Sequence, residues 1–238
     1  MADRPILFSA PMIRALLAGT KTQTRRLLKP QITQPFGGIF RDGSAWWTGD
    51  SLTGEVIGRL RIPYAPGDRL WVREAWNCFV FSQDGDEAFP TKKIPTAAEF
   101  RETKEEAVRF DMQVVHQESD RARKWFKDKP WRPSIHMPRW ASRLTLTVTE
   151  VRVQLLQEIN EADAVAEGIE DVSREVAPSG PPMSFWRRYR DGGWNSYVDS
   201  AVGSYASLWT SLHGPGSWGT NPWVVAVSFD VRKGNIDG

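Results

Sequence analysis

The chain has a single cysteine, three histidines and no apolar run approaching the roughly 18 residues of a membrane helix. Each shortage removes a class of protein. Cys78 can form no internal disulfide, and its neighbours Asn77 and Phe79 bring no cation to stabilise a thiolate, so it reads as packing. His116, His136 and His213 have neither paired spacing nor cysteine partners, and no Asp-x-Asp-x-Asp loop occurs. No metal site is therefore expected. With no Walker-type phosphate loop and no Gly-x-Gly-x-x-Gly after a strand, no cofactor is expected either. The start Met1-Ala2-Asp3-Arg4-Pro5 lacks the basic opening and long apolar stretch of a signal peptide, so a cytoplasmic protein with no membrane partner is expected.

What is present describes an ordinary globular chain: 238 residues, a formal charge of +2, 25% charged and 40% hydrophobic residues. The exception is tryptophan, with 12 copies. Large flat rings serve β-rich cores and base-stacking platforms equally well, so the count alone does not choose between them.

The pattern along the chain predicts several strands interleaved with short helices. Ile13, Leu16 and Leu17 share a helix face that Gly19 would close with a left-handed cap. Residues 30–67 are so rich in proline and glycine that hairpins and loops are expected. Asp68 to Glu74 alternates as a strand, with Leu70, Val72 and Glu74 on one face, which would put a carboxylate at the rim of an apolar interior. Thr96 and Glu99 form a capping-box pair for one helix in 77–140, and the rest of that segment reads as surface insertion. Leu144, Leu146 and Val148 alternate, and Val151, Val153 and Leu155 then take the opposite parity, as a bend near Thr149 would produce. Asn160 can cap a helix carrying Ala162, Val165, Ala166 and Ile169, with its acids on the solvent side, and 171–195 looks like another loop. Val202, Tyr205, Trp209 and Leu212 recur at helical spacing, and Trp223 to Val231 alternates as a half-buried strand. This predicts one small α+β domain, residues 1–238, around a curved or closed sheet, with insertions at about 30–67, 77–140 and 171–222.

Two clusters carry possible chemistry. From Arg121 to Arg143 eight cations, among them Lys124, Lys127, Arg132 and Arg139, stand against the one acid Asp128, with Trp125, Trp131, Trp140 and His136 interleaved. A local charge of +7 with aromatic rings is the physics of a nucleic-acid groove; equally, such a run can be a solvated face whose tryptophans anchor a long loop. Phe185-Trp186-Arg187-Arg188-Tyr189-Arg190 repeats the theme. The second cluster, Gly19-Thr20-Lys21-Thr22-Gln23-Thr24-Arg25-Arg26, places one amine, several hydroxyls and two guanidiniums in eight residues. A lysine with a lowered pKa can deprotonate a threonine, and Glu74 could orient it; a polar loop after a helix end is the plainer reading.

The run Ala15-Leu16-Leu17-Ala18-Gly19 with Lys21, Thr24 and Arg25, followed by Pro66-Gly67-Asp68-Arg69-Leu70-Trp71-Val72-Arg73-Glu74, resembles the ASCH domain of the PUA-like β-barrel superfamily. Trp131-Arg132-Pro133-Ser134-Ile135-His136-Met137-Pro138-Arg139-Trp140-Ala141-Ser142-Arg143, and the ending Gly216-Ser217-Trp218 with Asn221-Pro222-Trp223-Val224, are similar to ASCH-type proteins of tailed phages and prophages. The resemblance implies a partly open PUA-like barrel with short flanking helices, whose cleft takes nucleic acid or a nucleoside. By analogy with a compact ASCH amidohydrolase that deacetylates acetylcytidine, it implies Lys21 as base, Thr24 as nucleophile and Glu74 as supporting carboxylate. Substrate contacts are then expected from Arg25, Arg26, Arg73, Trp76, Lys124, Trp131, Arg132, His136, Arg139, Trp140 and Arg143. Other ASCH relatives are proposed to bind or cut RNA, so a binding module without chemistry and a ribonuclease-like protein stand as alternatives, with a phage assembly factor as a third.

Overall fold

The computed structural model describes residues 2–32, 37–42, 45–49, 53, 55–81, 88–91, 94–98, 111–119, 122, 126, 128–179, 184–189 and 197–238. It is an α+β protein, mostly strands with a few short helices, and no sheet among the described residues closes into a barrel. The chain divides into two compact units, each assembled from separated segments. The first holds residues 18–68 and 147–230; the second holds 2–17, 69–146 and 231–238. No helix of the described residues is long and apolar enough to cross a membrane.

The strands are β1 (Asp3–Leu7), β2 (Gln23–Leu27), β3 (Gly38–Asp42), β4 (Ala45–Gly49), β5 (Val56–Leu60), β6 (Arg69–Arg73), β7 (Trp76–Phe81), β8 (Ala88–Pro90), β9 (Asp111–His116), β10 (Leu144–Leu155), β11 (Trp186–Arg187), β12 (Tyr197–Val198) and β13 (Trp223–Lys233). The helices are α1 (Ala10–Ala18), α2 (Glu161–Ala166), α3 (Ser173–Val176) and α4 (Ala201–His213). Five strands hydrogen-bond in the order β1-β6-β10-β13-β2.

In the first unit β2 runs antiparallel to β13, from Gln23 opposite Ser228 to Leu27 opposite Val224. Val224, Val225, Ala226 and Val227 are all buried, so β13 is covered on both faces here rather than half-buried as its alternation predicts. In a strand, consecutive buried residues require two covered faces. Asn160 caps α2 by accepting the Asp163 amide at 2.8 Å, and Ser200 caps α4 by accepting the Gly203 amide at 3.1 Å. β3, β4 and β5 form a separate antiparallel meander.

In the second unit β1 pairs parallel with β6, Asp3 opposite Arg69 through Leu7 opposite Arg73. The stretch expected as surface insertion builds a sheet, β8-β7-β9, with its own core: Phe79, Val115, Ala122 and Phe126 pack together. Beyond its first turn at 97–98, the helix predicted after Thr96 lies outside the described residues.

Candidate functional site

Gly19, at φ +77°, ends α1 in the left-handed conformation predicted for it. The chain then enters β2 carrying Lys21, Gln23 and Arg25 toward one side. Successive strand residues alternate faces, so these three share a side and Thr24 and Arg26 take the other. The hydrogen bonds bear this out: the Lys21 ammonium donates to the Glu167 carboxylate at 2.9 Å and to the Glu167 carbonyl at 2.7 Å. Arg25 donates to Glu167 Oε1 at 3.2 Å, to Asp163 Oδ2 at 2.6 Å and to the Gln23 side-chain oxygen at 2.5 Å. Gln23 and Arg152 also donate to Asp163. The Tyr205 ring lies 5.9 Å from the Arg25 guanidinium carbon.

The network is dry. Lys21 is 0% exposed and Glu167 1%. Burial pulls the Lys21 pKa below its ordinary value; Glu167 opposes the shift, and Arg26 and Arg25 reinforce it. Burial pushes the Asp163 carboxyl up, but donation from Arg152 and Gln23 and the charge of Arg25 outweigh it, so its pKa ends lowered. Burial, with Glu167 adding, raises the Tyr205 phenol well above its ordinary value. Such an amine can hold or pass a proton to a group that displaces part of its shell.

Asp163 and Glu167, four residues apart, therefore correct the expectation that the acids of this helix face solvent. Their spacing was the available signal: positions i and i+4 share a helix face. That face is turned toward β2 because each carboxylate finds cations there. Thr24 is buried at 2% exposure and pairs across the sheet with Val227. Its strand parity does not deliver the hydroxyl to Lys21.

Glu74 belongs to the second unit, at the end of β6. It is buried as its parity predicts, but both of its oxygens accept from Arg143, at 2.8 Å each. The carboxylate on Lys21 is thus Glu167, and Glu74 is committed to Arg143. His116 lies in the same environment, with Nε2 2.8 Å from the Ala141 carbonyl. Burial lowers its pKa, Glu74 opposing and Arg143 adding to the shift.

The other expected contacts of this unit are mostly engaged within it. Arg139 binds Asp237 and Asp3. Arg132 donates to Asn77 at 2.9 Å and to the Thr91 carbonyl. Arg73 lies 4.5 Å over the Trp71 ring and donates to the Ile135 carbonyl. Trp76 is fully buried and meets Trp140 edge-on at 6.1 Å, while Trp131 packs on Phe79. Tryptophan here builds core, and of the cations of this stretch Arg139 and Arg143 are neutralised by carboxylates within the unit. His136 is exposed in a turn of 3-10 helix at 134–136, and Lys124 lies outside the described residues.

The first unit also holds a cleft of about 280 Å³ between the end of β2 and α4, lined by Leu27, Leu28, Lys29, Trp209, His213 and Pro222 among others. The Trp209 and His213 rings lie against each other, with centroids 4.1 Å apart and planes tilted by 33°. Burial lowers the His213 pKa, and the positive field of Arg26 and Lys29 lowers it further. Lys29, Trp209 and His213 carry no local signal as a set, because 180 positions separate Lys29 from Trp209. Among the described residues no group of three or more His, Cys, Asp or Glu side chains is placed to hold a metal ion. No family model, curated protein or solved structure matches the chain.

Proposed function

We propose that this protein is a nucleic-acid- or nucleoside-binding protein of the ASCH, PUA-like type that takes a nucleoside phosphate in the cleft beside α4. The observation that carries the reading is the pairing of an aromatic wall, Trp209 and His213, with the field of Arg26 and Lys29. Apolar floor residues suit a base or sugar, and cations suit the phosphate. The volume is near the lower end for small-ligand sites, which favours a single nucleotide unit over a larger cofactor. The test is calorimetric titration with nucleoside monophosphates against the bare nucleosides. Binding that needs the phosphate, weakens with salt and falls in Lys29→Glu is expected. Equal affinity for nucleoside and nucleotide, unmoved by Lys29→Glu, refutes the assignment.

A second reading, hydrolysis of an amide on a modified pyrimidine such as acetylcytidine, is favoured by the buried Lys21 with its lowered pKa. It keeps Lys21 as the proton acceptor and takes Glu167 in place of Glu74 as its carboxylate. It ranks second because Lys21 is closed off from solvent and Thr24 has the opposite strand parity. Acetate release from acetylcytidine, abolished in Lys21→Ala and Glu167→Gln, would promote it; no release from the intact protein removes it.

A further inference from the structure

The β3-β4-β5 meander sets a row of three side chains across one face: Phe40 stands opposite Trp47 on β4, and Trp47 opposite Arg59 on β5. Phe40 is 43% exposed and Arg59 is exposed, with its guanidinium carbon 5.5 Å from the centre of the Trp47 ring. Two glycines shape the surface. Cβ atoms placed at Gly38 and Gly49 would each meet the Phe40 ring, at 3.4 and 3.1 Å, so the ring lies along the sheet over both positions. At Gly49 a Cβ would also come within 2.6 Å of the Glu55 carbonyl, which excludes any larger residue there. A phenylalanine laid over glycines presents a ring face outward instead of inserting into a core. Among the described residues Arg59 makes no ion pair, in contrast to Arg139 and Arg143.

We infer that this face binds single-stranded nucleic acid, with bases stacking on Phe40 and Trp47 and a backbone phosphate on Arg59. Neighbouring strands lie about 4.8 Å apart, so the row spans on the order of 10 Å, enough for two adjacent bases and the phosphate beside them. Stacking tolerates any base, and the row offers no ladder of hydrogen-bonding side chains, so little sequence preference is expected. A protein partner would want a continuous apolar patch; an arginine lying on a ring instead suits an anionic ligand with flat faces. The inference rests on the nucleic-acid reading above but names a different surface and a polymer as its ligand.

The experiment is fluorescence anisotropy of the full chain with labelled oligodeoxyuridine and oligouridine, alongside the mononucleotide titration already described. Phe40→Leu, apolar but unable to stack, should weaken oligonucleotide binding by about 5- to 150-fold, whereas Phe40→Tyr should restore it. Arg59→Ala should also lower the magnitude of the log Kd against log salt slope by about 0.7, a change that a general loss of structure would not produce. Mononucleotide affinity should be unchanged in both variants. Oligonucleotide binding that Phe40→Leu and Arg59→Ala leave intact overturns the inference, as does failure of the intact protein to bind either oligomer. Loss of mononucleotide binding alone in Lys29→Glu tests the cleft and leaves this surface standing. A preference between the two oligomers assigns the sugar, and equal binding assigns stacking and phosphate alone.

Discussion

Glu167→Gln tests the physical core of the first unit. The wild-type carboxylate answers two cations, Lys21 and Arg25, and both it and Lys21 are essentially sealed from water. Replacing it with a neutral amide leaves a buried positive charge short of its counter-ion, and breaking a buried pair in this way costs about 3–5 kcal/mol. For a chain of this size each kcal/mol moves Tm by about 2–4 °C, so a fall on the order of 6–20 °C is expected in a melt followed by circular dichroism. Lys21→Met should cost less, because Arg25 still neutralises Glu167 when the amine is gone. The pH dependence has a definite sign. Lys21 is held below its ordinary value of 10.5 in the fold, so the unfolded chain binds the proton more tightly. The penalty is in full force below the folded pKa and fades as pH rises toward 10.5. Measured against Lys21→Met, the wild type should therefore gain stability as pH climbs through that window. A Glu167→Gln cost under about 1 kcal/mol, the size of a surface ion pair, would refute the account of a dry, coupled network.

In the second unit Arg143→Ala should destabilise strongly, by about 3–5 kcal/mol in urea unfolding, because it strands the buried Glu74 carboxylate. Asn160→Ala removes the acceptor for the Asp163 amide and should cost about 1 kcal/mol by the same measurement. Burial raises the Cys78 thiol to about 11, so in the native protein at pH 8 it should resist alkylation by iodoacetamide and react only after denaturant is added.

Local chemistry was the legible part of the sequence. Gly19 and the Asn160 cap each depend on residues a few positions apart, and the structure places them as that chemistry predicts; past Thr149 the buried residues of β10 are Val151 and Gln154, so the predicted set Val151, Val153 and Leu155 is met only at Val151. Glu74 was read correctly as buried, because alternation with Leu70 and Val72 fixes its side of the strand. Its partner was not readable. Arg143 lies 69 positions away, and nothing in a local pattern distinguishes it from the seven other cations of its stretch. The same limit hid Glu167 from Lys21, 146 positions apart. The core of the 77–140 segment is hidden for a different reason: Phe79, Val115 and Phe126 are spaced too widely to register as periodic.

The one-sided cationic set on β2 also governs how that strand can pair. β2 stands last in its sheet, where sliding along the neighbour meets the least resistance. A slip of a single residue would swing Lys21, Gln23 and Arg25 away from α2 and offer Thr24 and Arg26 to Asp163 and Glu167 in their place. Asp163 and Glu167 would then face the single cation Arg26 where they now face both Lys21 and Arg25, so the ion cluster works as a ratchet pawl that favours one alignment of the outermost strand.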